Sequence, residues 1–369
     1  MKIRSFEFNL RELAGSMGDF GTLVPLAIGY FMVCGMNPAG LLVMMGLANI
    51  ATGLAYRLPM PIEPMKVLAV VAIAQHWSQT MVYAAAFAMG FIWLIFALTG
   101  VMVWVARLTP NSVVYGIQVS LGVMLAIKAF AMLSSWWILG VVSVLLVLLL
   151  RNNRYAPAAV VLMILGIAIT IAKGGLHIIS GPGITLPPLT RFSLEEIWET
   201  LVLGGFAQIP LTATNAVIAT AALIKTYWPD RQVSERKLSL SHGLMNLISP
   251  FFGGMSMCHG AGGLAGQYFF GARTGGTNII EGIMEISLGF FLASSIAGIM
   301  MAFPMAILGA MMLLVGIELV KFARKVRFDR DFLPFAATVG LAITMNMAFG
   351  FLAGLAVHYA TRAIFKMRD

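Results

Sequence analysis

Charge is scarce in this chain. Of its 369 residues, 11% are Asp, Glu, Lys or Arg and 60% are hydrophobic. A soluble domain needs far more charge to cover its surface, so a soluble globular protein is excluded. Cysteine is nearly absent: Cys34 and Cys258 are the only two. Two cannot make a disulfide framework or a thiolate metal cage, and both read as buried free thiols. No His/Cys cluster has transition-metal spacing, so no metal and no cofactor are expected. A phosphate-binding loop is missing, which argues against an ATP-driven pump. No nucleophile–base pair stands at recognisable spacing, which argues against an enzyme. The opening "MKIRSFEFNLREL" contains acids and lacks a long apolar core, so it is not a cleavable signal peptide. The net charge of +9 would suggest a nucleic-acid partner in a soluble protein. Here the basic residues gather at segment ends, so membrane topology explains them and no nucleic-acid partner is expected.

What the chain has is long apolar runs, and its mean hydropathy is +0.91. The runs are continuous rather than alternating, so they are helices and not barrel strands. The pattern predicts an all-α polytopic membrane protein with fourteen segments: 18–33, 39–56, 64–75, 80–106, 110–130, 134–150, 156–172, 200–225, 237–253, 261–271, 277–303, 304–321, 331–347 and 348–365. With the N-terminus inside, all 24 Lys and Arg except four fall on the cytoplasmic side: Lys128, Lys173 and Arg191 fall outside, and Lys66 lies within the membrane. Both termini are therefore expected to be cytoplasmic, in an inner or plasma membrane. Ile3, Phe6, Leu10 and Leu13 lie at helical spacing, which predicts an interfacial amphipathic helix over 1–17. The polar connection "KGGLHIISGPGITLPPLTRFSLEEIWET" divides the rest into 18–185 and 186–369, seven segments each. Seven is odd, so the second half enters the membrane in the opposite sense, as an inverted repeat.

The third and tenth segments are too short to cross alone. The third follows "LPMPIEP", whose three prolines force extended backbone, and its helix is expected to start at Pro64. About seven extended residues at ~3.3 Å each bring that start to mid-membrane. The tenth starts near Gly260 to Gly263, in "MSMCHGAGGLAGQY". Two half-helix N-termini then face one another. Each carries partial positive charge and unpaired N–H groups, which is an anion site, and the glycines let a ligand reach the backbone. Lys66 adds a full charge one turn into its helix. These features favour a small anion as substrate.

Four stretches, "GDFGTLVPL", "PMPIEPMK", "FAQIPLTATNAVIA" and "CHGAGGLAGQY", together resemble the molybdate transporter family, a short branch of the sulfate permease superfamily. The resemblance covers nearly the whole chain in the family's order. It implies a seven-plus-seven inverted-repeat fold with core and gate domains and elevator-like alternating access. It also implies import of a tetrahedral oxyanion, molybdate first, with sulfate or tungstate weaker. The chain ends at "RAIFKMRD", which resembles the branch that lacks a C-terminal regulatory domain. A sulfate transporter, a same-fold permease for another small anion or a nucleobase, and an anion channel stay open as alternatives. Membrane lipid is an expected partner, and a homodimer stays open.

The expected substrate site is Gly21, Thr22, Met65, Lys66, Gln208, Thr212, Gly260, Ala261, Gly262 and Gly263. A lone intramembrane Lys is costly and faces protein or a cavity. Lys66 either touches substrate or pairs with Glu63, one turn away. Asp19, Glu63 and His259 are the candidates for proton coupling or gating. Glu63 is either a structural partner of Lys66 or a carboxylate that is protonated when a dianion is bound. Asp19 is either a helix cap or a relay. His259 is either a titrating donor or a satisfied core histidine. Thr214 and Asn215 are further polar neighbours. His76, His177, His242 and His358 read as peripheral, and Glu281, Glu285 and Glu318 as facing cytoplasmic partners or other helices.

Overall fold

Proline, glycine and a few caps decide where the helices start and stop. The computed structural model describes residues 2–3, 5–150, 158–174, 181, 183–329 and 331–366. His177, and Arg4, Arg151, Arg154, Arg330 and Arg368 among the topology-setting charges, lie outside the described residues.

The chain opens with strands β1 (Lys2–Ile3) and β2 (Phe6–Glu7), paired antiparallel, then helix α1 (Leu10–Ser16). Next come α2 (Phe20–Met32) and α3 (Pro38–Tyr56), the latter started by Asn37, whose side chain accepts from the N–H groups of Ala39 and Gly40. A short strand, β3 (Glu63–Pro64), leads into α4 (Lys66–Gln75). Helices α5 (Gln79–Thr99), α6 (Val101–Leu108) and α7 (Asn111–Leu133) follow. A 3₁₀ turn at Ser134–Trp136 joins α7 to α8 (Trp137–Leu150), and α9 spans Ala158–Gly174.

After the polar connection, Ser193 and Glu196 form a reciprocal capping box that starts α10 (Leu194–Thr200). The helical run continues through α11 (Phe206–Leu211) to α12 (Thr220–Tyr227), with π-helical stretches at Leu201–Gly205 and Thr212–Ala219. Pro210, inside α11, has no N–H to give. The wider turns on both sides absorb that loss. Then come α13 (Glu235–Ile248), strand β4 (Met257–Cys258), α14 (Ala261–Phe270), α15 (Gly276–Phe291), α16 (Ala293–Ala302), α17 (Met305–Val320), α18 (Phe332–Thr344) and α19 (Met347–Lys366). Among the described residues, five helical runs are long and apolar enough to cross a membrane, or six if α15 and α16 count as one bent span. This is a mostly helical, multi-pass membrane protein.

Three helix pairs pack most closely: α3 with α15, α5 with α13, and α7 with α17. Glycine makes each approach possible. A Cβ on Gly46 would lie 2.6 Å from the carbonyl oxygen of Gly282, and one on Gly122 would lie 2.7 Å from that of Gly316. In lipid, where apolar burial drives helix pairing little, such backbone contact supplies the packing. The centre of the molecule is the crossing of β3 and β4, where Glu63 stands opposite Cys258 and Pro64 opposite Met257. Around it α4 is sheathed in protein: Val67 to Ile73 are all buried.

Four expectations are corrected. The N-terminal stretch is not one amphipathic helix, because residues 2–7 pair as strands and only Leu10–Ser16 is helical. Its buried anchor is Glu12, which accepts from the N–H groups of Arg273 and Thr274. The third segment starts at Lys66, not Pro64. Pairing with Met257 holds Pro64 extended, and the N–H of Met65 donates to Ser256 O at 3.0 Å. Lys66 is thus the first residue of the helix rather than one turn in. The eleventh segment is not a single rod, since α15 and α16 meet at 82°. The N–H groups of Gly183 and Thr185 take the carbonyls of Phe291 and Phe290, so the polar connection consumes the acceptors that would continue α15. The fourth correction concerns His242 and is given with the site.

Candidate functional site

Two short helices begin at the β3–β4 crossing, and their N-termini are chemically different. Helix α4 starts from Met65, which is fully buried and makes no side-chain cap. A neighbour supplies the cap instead: Gln208 Oε1 accepts from the N–H of Val67 at 2.8 Å, and Gln208 Nε2 donates to Thr212 Oγ1 at 2.6 Å. Helix α14 starts from Gly260, which has no side chain to cap with. What stands there is Glu63. A Cβ built on Gly260 or Gly263 would run into the Glu63 carboxylate. These two positions must be glycine because a carboxylate from the other half of the chain lies against the bare start of α14, where negative charge is stabilised. Glu63 Oε2 also accepts from Lys66 Nζ at 3.1 Å. The ion pair and the start of α14 are therefore one constellation, with the Glu63 carboxylate between Lys66 and α14.

Lys66 is not sealed in. Its side chain keeps 18% of its surface and lines a cavity of about 410 Å³. It is lined by Gly21 and Thr22 of α2, Lys66, Asn215 and Gly262, and also by Gln118 of α7 and Leu314, Val315 and Glu318 of α17. At Gly21 and Gly262 a Cβ would meet nothing within 4 Å, so both turn open backbone toward the cavity.

The structure thus brings Gly21, Thr22, Lys66 and Gly262 together at the cavity. Met65, Gln208, Thr212, Gly260, Ala261 and Gly263 stand behind or beside them: Gln208 and Thr212 brace α4, while Gly260 and Gly263 make room for Glu63. Asp19 occupies the cap position of α2 but makes no cap bond, and both its carboxylate oxygens are buried without a hydrogen-bond partner.

His259 does not line the cavity. Its Nδ1 donates to Pro61 O at 3.1 Å and its Nε2 meets Ser241 Oγ at 2.7 Å. Its backbone N–H donates to His242 Nε2 at 3.0 Å, and His242 Nδ1 donates to Leu238 O at 2.6 Å. Both Nδ1 partners are carbonyls, which can only accept, so each ring carries its proton on Nδ1. His242 is therefore not peripheral. It is fully buried beneath β4, fixing the strand that delivers α14.

Of the two readings left open for Glu281 and Glu285, the structure has the second: both face other helices. Glu285 Oε2 accepts from Asn49 Nδ2 at 2.8 Å. Asn49 Oδ1 accepts from Asn278 at 2.7 Å. Asn278 Oδ1 in turn accepts from the N–H of Met60 at 2.8 Å. Glu281 Oε2 accepts from Gln267 Nε2 at 3.4 Å. A chain of amides thus ties the extended lead-in of α4 to α3 and α15. The available signal was the cost of two acids, four residues apart, inside an apolar helix. Glu318 differs: it is half exposed and pairs with Lys321 at the cavity rim.

Comparison with known proteins gives the family and the fold. A family model described as "Molybdate transporter of MFS superfamily" matches residues 11–125 and 200–319, which include both half-helices. The chain is 30% identical over 400 aligned positions to "Molybdate transporter 1" of Arabidopsis thaliana, covering 95% of this chain and 87% of that protein. It is 31% identical over 409 positions to "Molybdate transporter 2" of the same plant, covering 94% and 86%. In fold it is similar to SLC26A9, with TM-score 0.74 and 12% identity, covering 99% of this chain and 66% of that one. It is also similar to the transmembrane domain of the cyanobacterial bicarbonate transporter BicA, with TM-score 0.64 and 16% identity, covering 99% and 97%.

Proposed function

The chain belongs to the molybdate transporter family, and on that premise we propose that the cavity beside Lys66 is the transit site of molybdate in a secondary active importer. The observation that carries this reading is the meeting of two half-helix N-termini with one lysine at a cavity wall. An oxyanion in that cavity has Lys66 Nζ and the open backbone at Gly21 and Gly262 within reach, with Thr22 and Asn215 as side-chain donors. The remaining residues of the expected site act by holding these in place.

Glu63 gives the site its coupling. With the cavity empty, its carboxylate neutralises Lys66 and lies against the start of α14. An arriving dianion competes for the same lysine and the same helix end. A proton on Glu63 removes the competitor and frees Lys66 for the oxyanion. Proton and anion then favour one another's loading, which is symport.

The helix pairing supports seven-plus-seven inverted organisation in fourteen spans. Counted in spans, α3 with α15 joins the second to the eleventh, and α5 with α13 joins the fourth to the ninth. Inversion exchanges these two pairs and maps the α7–α17 pair onto itself. The short antiparallel β3–β4 crossing would lie on the pseudo-two-fold axis. A cavity lined both by α2, α4 and α14 and by α7 and α17 suits alternating access, one group moving against the other. The placement of the basic residues supports cytoplasmic termini.

The test is molybdenum-quantified uptake into proteoliposomes at two external pH values, with and without excess sulfate. Expected are saturable uptake that rises at the more acidic outer pH and only partial inhibition by sulfate. Absence of saturable molybdate uptake would overturn the reading.

A further inference from the structure

Directly behind the cavity wall lies a group of buried acceptors with too few donors. Asp19, Glu63, Glu281 and Glu285 are all buried, and Lys66 is the cation set among them. Asp19 is close enough to feel the charges of Glu63, Glu285 and Lys66, and Glu281 those of Asp19, Glu285 and Glu63. Glu63 has Lys66 as donor and Glu285 has Asn49. The others are left short. Both oxygens of Asp19, Oε1 of Glu281 and Oε1 of Gln267 have no hydrogen-bond partner. Gln267 is an independent witness, because it is a neutral amide and fully buried. Its Nε2 is spent on Glu281, which leaves its carbonyl oxygen beside the same carboxylate with nothing to accept. The elements are in contact: Gly18, next to Asp19, is packed so tightly on the backbone of Gln267 that no Cβ fits between them.

Buried oxygens of this kind are costly unless a proton or cation satisfies them. Among the described residues no three His, Cys, Asp or Glu are spaced to hold a metal ion, which speaks against a divalent cage. The charged neighbours do not supply the missing donor. From α1, Glu12 is engaged with the N–H groups of Arg273 and Thr274. The guanidinium of Arg273 lies over the ring of Tyr268 and donates to the carbonyls of Tyr268 and Ala272. His259 and His242 give their ring protons to backbone carbonyls, as described above.

We propose that Asp19, Gln267 and Glu281 form a binding site for one monovalent cation, a sodium ion or a proton, that is carried together with the oxyanion. This goes beyond the competition between Glu63 and substrate, and it rests on the oxyanion reading of the cavity. The physical reason is charge. Ionised, four carboxylates against one lysine would leave an excess of negative charge behind a wall that must accept a dianion. A cation at Asp19, Gln267 and Glu281 reduces that excess where α2 and α14 come together, the two helices whose Gly21 and Gly262 face the cavity. Loading the cation therefore makes the cavity more hospitable to the oxyanion, and by reciprocity the oxyanion tightens the cation.

The test uses the purified full chain in nanodiscs. Molybdate affinity is measured while Na⁺ replaces choline at pH 8, and separately while pH is lowered from 8 to 6 in choline. Both titrations are repeated in Glu63→Gln, so that protonation of Glu63 is not counted; a gain of about ten-fold in affinity that survives in that variant along one of the two identifies the cation. Glu281→Gln and Asp19→Asn are expected to lose that dependence, Gln267→Leu to shift its midpoint several-fold, and Glu281→Asp, which keeps the charge, to restore most of it. Without molybdate, the same cation should raise the melting temperature of the wild type and not of Glu281→Gln. Molybdate affinity that ignores both cations, or dependence unchanged in both Glu281→Gln and Asp19→Asn, overturns the cation site while leaving the oxyanion site standing. Absence of molybdate binding under every condition instead overturns the oxyanion reading on which this inference rests.

Discussion

The two half-helices solve one problem with opposite chemistry. Both start in mid-protein from a short extended strand, and both must satisfy N–H groups that have no intrahelical partner. Helix α4 is completed by side chains: Gln208 takes the N–H of Val67, and Lys66 adds a full positive charge at the first position. Helix α14 is completed by absence: Gly260 caps nothing, and the missing Cβ atoms of Gly260 and Gly263 admit the Glu63 carboxylate. One end is a fixed positive group, and the other is a socket now held by a tethered anion. A symmetric pair of capped helices would bind an anion weakly from both sides. On the function proposed above, the asymmetric pair would give the anion a lysine to pair with and an internal competitor to displace.

Breaking the socket should have the largest effect. Gly263→Ala places a methyl group on the Glu63 carboxylate, which must leave the start of α14 and give up its position beside Lys66. Molybdate uptake is expected to fall more than about 100-fold, since backbone approach and the Lys66 geometry are lost together. Gly262→Ala is the internal contrast. Its methyl would point into open space, so folding should be unchanged and affinity should drop only a few-fold. Equal losses at the two positions, measured by uptake alongside melting temperature, would erase the distinction between socket and wall.

Breaking the charged end comes next. Lys66→Ala should weaken molybdate binding about 10- to 100-fold, the scale of one charge-assisted contact in a partly buried site. Glu63→Gln sharpens the comparison. Without its charge the competitor no longer neutralises Lys66, so affinity at neutral pH should be kept or improved while the dependence of uptake on external pH flattens. Retained wild-type pH dependence in this variant would remove Glu63 from the coupling role. The smallest expected effect is at Gln208. Gln208→Leu strips the cap from Val67, at a cost of about 1–3 kcal/mol in stability. Denaturation should register that loss, whereas molybdate affinity at a temperature where the protein is folded should change little.

Sequence showed the frame of this site better than its wiring. Three prolines in "LPMPIEP" and the glycines of "GAGG" are local signals, because they restrict or free the backbone where they stand. They located both half-helices to within a few residues. The start at Lys66 rather than Pro64 was hidden because it depends on pairing with Met257, nearly two hundred residues away. Side-chain direction was equally hidden. Gln208 and Thr212 looked like substrate donors, and nothing local says that Gln208 accepts from the N–H of Val67 while donating to Thr212. His242 looked peripheral on a polar stretch of α13, yet it is the acceptor for the backbone of His259. Glu281 and Glu285 carried a local signal, their cost in an apolar helix, but nothing local says that Glu281 meets Gln267 and Glu285 meets Asn49.

The central claim is the position of the oxyanion, and molybdenum can report it directly. A crystal of the protein grown with molybdate and measured at the molybdenum absorption edge should show one anomalous peak in the cavity. An oxyanion oxygen should lie about 3 Å from Lys66 Nζ, with the metal facing the start of α14 at Gly262. A single peak remote from Lys66, with this cavity vacant, would contradict the account.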